Sequence, residues 1–138
     1  MRVFLDASAI IYLLEGDRQT RDATRQVLGG LERGSDEPPV LMASALSRLE
    51  CRVRPLRESD TQALERLDGF LDDPGLSVIA LDTAVLDRAT ELRAQYRLRT
   101  PDAIQAACLL TVDPRGAFVT GDGDFEKVPG LHVHRIPH

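Results

Sequence analysis

The sequence predicts an α/β protein of a single domain, residues 1–138, built as a mostly parallel sheet of about five strands with helices packed on both faces. Three observations predict it. The length of 138 residues matches about one domain. Short apolar runs alternate with stretches of helical periodicity along the whole chain. Those runs are continuous, with no polar residue at every second position, as expected of strands buried on both sides.

The elements follow in order. Val3-Phe4-Leu5 is a strand that stops at Asp6, and Ile10, Leu13 and Leu14 then return at helical spacing. Gly29, Gly30, Gly34, Ser35, Asp36 and Pro38-Pro39 predict a loop, followed by the strand Val40-Leu41-Met42. Ser44 is placed to cap a helix whose apolar face is Ala45, Leu46, Leu49 and Val53 and which Pro55 interrupts. Ser59 or Asp60 opens the next helix through Ala63, Leu64, Leu67, Phe70 and Leu71, and Asp73-Pro74-Gly75 ends it. Ser77 to Leu81 reads as a third strand. Asp82 caps a helix carrying Val85, Leu86, Ala89, Leu92 and Tyr96. Thr100-Pro101 starts another, through Ile104, Ala107, Cys108 and Leu109. Ala117-Phe118-Val119 is a fourth strand and Leu131 to Ile136 a fifth, at the edge.

Composition narrows the function. With 17 basic and 22 acidic residues the chain carries a net charge of −5, so a general nucleic-acid coat is excluded and any such role needs a local site. Aromatic residues are only 4%, too few for base stacking to dominate recognition. Cys51 and Cys108 lie in apolar helical patterns with no paired spacing, which points to a reduced, cytoplasmic setting. No apolar run approaches the roughly 20 residues that span a bilayer, and Met1 to Leu14 lacks a basic start and a cleavage site, so a soluble, unexported protein without membrane partners is expected. Lys127 is the only lysine. The arginine excess suits bidentate phosphate or carboxylate binding, and codon usage in a GC-rich genome would give the same ratio.

Ligands of a parallel sheet bind beyond the carboxyl ends of its strands, near a switch in strand order. Four carboxylates can converge there: Asp6 after the first strand, Glu50 two turns into its helix, Asp102 in a first helical turn, and Asp122 after the fourth strand. Taken singly, three have simpler explanations. Asp102 suits the helix dipole, Asp122 suits turn chemistry beside Gly121 and Gly123, and Glu50 suits a solvated helix face. Asp6 is harder to dismiss, because it interrupts apolar sequence on both sides, where an ionised carboxylate needs a partner. Clustered oxygen ligands with no histidine or cysteine pattern imply a hard cation, Mg²⁺ or Mn²⁺. Carboxylates around such ions are what metal-assisted phosphodiester hydrolysis requires.

In this order and spacing, "FLDASAII", "SALSRLE", "LRTPDAIQAA" and "FVTGDGDF" resemble the PIN-domain ribonucleases, most closely the VapC-type toxins of toxin–antitoxin pairs. The resemblance runs over nearly the whole chain. It implies a PIN-like three-layer α/β/α sandwich and a metal-dependent endoribonuclease, with Asp6, Glu50, Asp102 and Asp122 as the metal-binding, catalytic acids. It implies Ser8 and Thr120 as hydroxyls that orient a ligand or water. It also implies an RNA substrate, a homodimer, and a VapB-type antitoxin that inserts a segment into the active-site groove. Gly121 stands where many relatives carry asparagine or arginine, and a glycine there would loosen the loop and leave Asp122 or Asp124 to face the metal, with Asp122 favoured.

Arg48, Arg52, Arg54 and Arg57 flank Glu50, and Arg93, Arg97 and Arg99 precede Asp102. They are either a solvated surface or a path for RNA phosphates or antitoxin acids, with Arg52, Arg54, Arg97 and Arg99 the contacts to watch. Asp82 reads as a helix cap, and His132, His134 and His138 as a poor metal site. Among other classes, a phosphatase of the haloacid-dehalogenase type needs a second acid where Ser8 stands, and a receiver domain needs a lysine after a late strand in a setting Lys127 does not match. A catalytically silent RNA- or partner-binding protein is the remaining alternative; against it, four unneutralised carboxylates would repel one another.

Overall fold

The computed structural model describes all 138 residues, Met1 to His138. Its strands are β1 (Arg2–Leu5), β2 (Val40–Ser44), β3 (Leu76–Ile79), β4 (Ala117–Thr120) and β5 (His132–Arg135). Its helices are α1 (Ala7–Glu15), α2 (Arg18–Arg33), α3 (Leu46–Arg57), α4 (Thr61–Leu71), α5 (Thr83–Tyr96) and α6 (Thr100–Val112). The strands form one sheet in the order β3-β2-β1-β4-β5, and every pairing is parallel. The chain builds outward from β1 to β3 and then crosses back, so the switch in strand order falls between β1 and β4.

The pleat of the sheet divides the core into two layers. Phe4, Met42, Ile79 and Phe118 face α5 and α6, and the rings of Phe4 and Phe118 stack with centroids 5.2 Å apart. Val3, Leu5, Ala43, Ala117 and Val119 face the opposite way, under Ala9 and Ile10 of α1, Leu31 of α2, Cys51 of α3 and Leu67 of α4. The result is the three-layer α/β/α sandwich expected. Because β1 and β4 are buried on both faces, their central residues are apolar, and Val3, Phe4, Leu5, Phe118 and Val119 are almost wholly excluded from solvent.

The structure corrects several details. Gly29 and Gly30 do not form a loop: α2 runs through them to Arg33, because Leu28 and Leu31 on either side pack into the core and that burial outweighs the low helix propensity of glycine. Pro55 does not interrupt α3, since it lies in the last turn, where one lost hydrogen bond is tolerated and the Glu58 N–H closes the helix on the Arg54 carbonyl. The apolar face read for α3 is turned around: Leu49 and Val53 are exposed, with Leu56 beside them, while Ser47 and Cys51 face the core. Ser44 keeps a capping contact, its hydroxyl accepting the Leu46 N–H at 3.0 Å, but it lies within β2. β3 ends at Ile79, short of Leu81.

Candidate active site

Asp6 stands at the carboxyl end of the central strand and is 4% exposed. Its Oδ1 accepts the Ala9 N–H at 2.9 Å, which caps α1, and the Ser8 hydroxyl at 2.6 Å; its Oδ2 accepts the Thr120 hydroxyl at 2.5 Å. Ser8 Oγ in turn accepts the Gly121 N–H at 2.9 Å, and Thr120 Oγ1 accepts the Asp122 N–H at 3.0 Å. The two hydroxyls read from sequence as aids to a ligand or water therefore spend their donors on Asp6, and their acceptors fix the loop after β4. Burial pushes the Asp6 carboxyl up to about 6, against the pull of the Ser8, Thr120 and Ala9 hydrogen bonds.

Asp102, Asp122 and Asp124 form the compact group of the site, with one carboxylate oxygen from each lying within 4.8 Å of the others. Asp102 is carried by the first turn of α6, where Pro101 is pre-set for a helix start. Asp122 caps a short 3₁₀ turn, Gly123–Lys127, by accepting the Asp124 N–H at 2.9 Å, which sets both acids on one bend. Both alternatives at that bend are thus present beside Asp102. Asp6 and Glu50 lie outside the group of three. The Asp102 carboxyl is raised above the usual range by burial, Arg99 opposing the shift and Asp122 and Asp124 reinforcing it.

Glu50 is held from α6. Gln105, one turn beyond Asp102 and 2% exposed, donates from Nε2 to Glu50 Oε1 at 2.8 Å and to Ser47 Oγ at 3.1 Å. Sequence reasoning missed this residue. The signal was there: Gln105 is the one amide in the apolar stretch from Ala103 to Leu110, where a buried polar group needs a partner.

Gly121 does not loosen its loop. A Cβ there would lie 2.3 Å from Tyr12 Cε2, so the missing side chain admits the Tyr12 ring, and His138 donates from Nε2 to the Gly121 carbonyl at 2.7 Å. The arginines divide into three sets. Arg48 pairs with Asp72 just after α4, Arg52 with Asp68 of α4, and Arg54 with Glu58, at 3.1, 2.9 and 3.1 Å. Arg57, Arg93 and the exposed Arg97, which caps α5 in the left-handed conformation at φ 56°, make no ion pair. Arg99 is at the acidic group, its Nε 3.2 Å from Asp102 Oδ2. Asp82 caps α5 by accepting the Val85 N–H at 3.0 Å. His132 and His134 gather no third ligand, and the Asp102 group is the only set of three ligating side chains.

The donor set fits a hard divalent ion. It offers carboxylate oxygens only, with no imidazole or thiol among them, and Asp102, Asp122 and Asp124 are the residues that would hold such an ion.

Fold and rim together define an α/β protein with an acidic site at the switch point of a parallel sheet. The chain belongs to the PIN domain family, which it matches over residues 3–131. It is similar in structure to VapBC2 of Rickettsia felis, solved bound to a DNA fragment from its promoter, with a TM-score of 0.77 and 17% identity over 99% of this chain and 100% of the other. A toxin–antitoxin complex from Klebsiella pneumoniae superimposes with a TM-score of 0.71 at 23% identity, over 99% and 98% of the two chains. The sarcin–ricin loop cleaving toxin VapC20 of Mycobacterium tuberculosis gives 0.74 at 17%, over 96% and 98%. At these identities the likeness is one of fold. No curated protein matches the sequence. No helix is long and apolar enough to cross a membrane.

Proposed function

We propose that the protein is a divalent-metal-dependent endoribonuclease of the VapC type, the toxin of a toxin–antitoxin pair, acting in the cytoplasm. The observation that carries this reading is the meeting of Asp102, Asp122 and Asp124 at the switch point, beside a buried Asp6. Asp102, Asp122 and Asp124 would hold Mg²⁺ or Mn²⁺, with Asp6 and Glu50 as the adjoining acids. When bound, the ion makes water a stronger nucleophile at neutral pH and neutralises charge on the leaving oxygen. Asp6 anchors the loop that carries Asp122, through Thr120 and Ser8. Gln105 fixes the direction of the Glu50 carboxylate. No serine or cysteine stands with a histidine as nucleophile and base, which favours attack by water.

The similar complexes support a VapB-type antitoxin as partner. The exposed Leu49, Val53 and Leu56 of α3, which line one depression together with Arg48 and Arg52, are an apolar surface suited to that partner or to the second copy of a homodimer.

Incubating the purified protein with cellular RNA tests the reading. Mg²⁺ or Mn²⁺ is expected to give fragments with 5′-phosphate and 3′-hydroxyl ends, excess chelator is expected to stop cleavage, and Asp102→Asn should abolish it in a folded protein. Asp82→Asn should alter activity little. Cleavage that survives chelator, or ends in a 2′,3′-cyclic phosphate, overturns the proposal. A silent, binding-only protein is the second reading, favoured by the Arg99 guanidinium on Asp102, which already supplies one positive charge to the acids. RNA binding without cleavage under any metal would select it.

A further inference from the structure

The second glycine of the acidic bend is shaped around an arginine. Arg135 ends β5, in register with Thr120 of β4, and so reaches the same rim of the sheet as the loop carrying Asp122 and Asp124. A Cβ at Gly123 would lie 2.7 Å from Arg135 Nη1 and 3.0 Å from Cζ, so the guanidinium fills the space a side chain would take between the two acids. Arg135 is exposed and forms no ion pair within 4.0 Å. Arg99, by contrast, has its Nε committed to Asp102. A guanidinium seated on the bend that carries Asp122 and Asp124, with no carboxylate paired to it, is set to take an anion. Its planar fork matches a phosphate better than a point charge does.

The geometry points to Arg135 as a binding residue for a phosphate of the RNA strand adjoining the one cleaved, with Gly123 kept free of a side chain to seat it. This rests on the ribonuclease reading above. The contact positions the strand and reads no base, so it acts on all sequences alike.

Two measurements test it, on the full chain. The first is binding of a short fluorescein-labelled single-stranded RNA in chelator across a salt series; the second is cleavage of the same RNA in Mg²⁺. Arg135→Gln is expected to reduce the slope of log affinity against log salt by about 0.7, the value for one phosphate contact on a single strand. KM should rise about fivefold, with a smaller fall in kcat. Arg135→Lys should restore the slope but only part of the KM. Gly123→Ala meets only the mobile end of Arg135, so it should fold normally and weaken binding, and it should have no further effect when combined with Arg135→Gln.

An unchanged slope and KM in Arg135→Gln, with the wild type cleaving normally, overturns this inference and leaves the nuclease reading standing. Additive effects of Gly123→Ala and Arg135→Gln overturn it too. A wild type that binds RNA without cleaving removes the nuclease reading, and the slope still decides on Arg135. A wild type that neither binds nor cleaves removes both.

Discussion

Asp6 shows how one side chain links folding to chemistry. Its carboxyl is raised from 3.8 to about 6, so the folded protein holds that proton more tightly than the unfolded chain does. Its contribution to stability is then full below about pH 4 and lost as pH rises through 6, with an upper size of about 3 kcal/mol. Chemical denaturation in chelator should show wild type losing stability, relative to Asp6→Asn, between pH 4 and 7; parallel curves for the two would refute the assignment. Gln105→Leu keeps the volume, loses the donor to Glu50, and removes a buried Oε1 that has no partner. We expect stability within about 1 kcal/mol of wild type and cleavage down about tenfold, read by melting and by initial rates. Undiminished cleavage would mean that Glu50 needs no such support. The acids were legible in the sequence because ionised groups at the ends of apolar strands need a reason. Gln105 and Arg135 were not, because their roles depend on which helix and which strand end they meet, and neither lies near Glu50 or Asp122 in the chain.

At the scale of elements, continuous apolar runs revealed the central strands β1 and β4, which are buried on both faces, whereas the edge strand β5, His132–Arg135, carries polar alternation. Helices were harder. Periodicity shows that α3 has an apolar stripe at Leu49 and Val53 but cannot say whether that stripe meets the core, and here the core takes the Ser47 and Cys51 side instead. In α2, glycine punctuation misled because Leu28 and Leu31 lie around it. A test follows from Gly30, which is exposed within that helix and would carry a Cβ with nothing within 4 Å. Gly30→Ala should stabilise the protein by about 0.4–1 kcal/mol through lower unfolded-state entropy and better helix propensity. An upward shift of a few degrees in melting temperature would show it, and a fall would mean that α2 is broken at that point.

The molecule as a whole carries net charge −5 and gathers three of its acids at one spot. An ion that binds only the folded state relieves that repulsion, so Mg²⁺ or Mn²⁺ should raise the melting temperature. The gain is about 2.7 kcal/mol at a hundredfold excess over the dissociation constant if one ion binds. Asp102→Asn should lose most of the shift, and a wild type indifferent to metal would show that the acids hold none. The strand order has a further consequence, one of timing. β1 is made well before β4, yet Val3 cannot pair with Ala117, nor Asp6 with Thr120, until β4 has left the ribosome. The group of Asp102, Asp122 and Asp124 is complete only when the bend after β4 has followed. The acidic centre of this sheet is therefore assembled only after β1, β2 and β3 have all been made, whatever the order in which those elements settle.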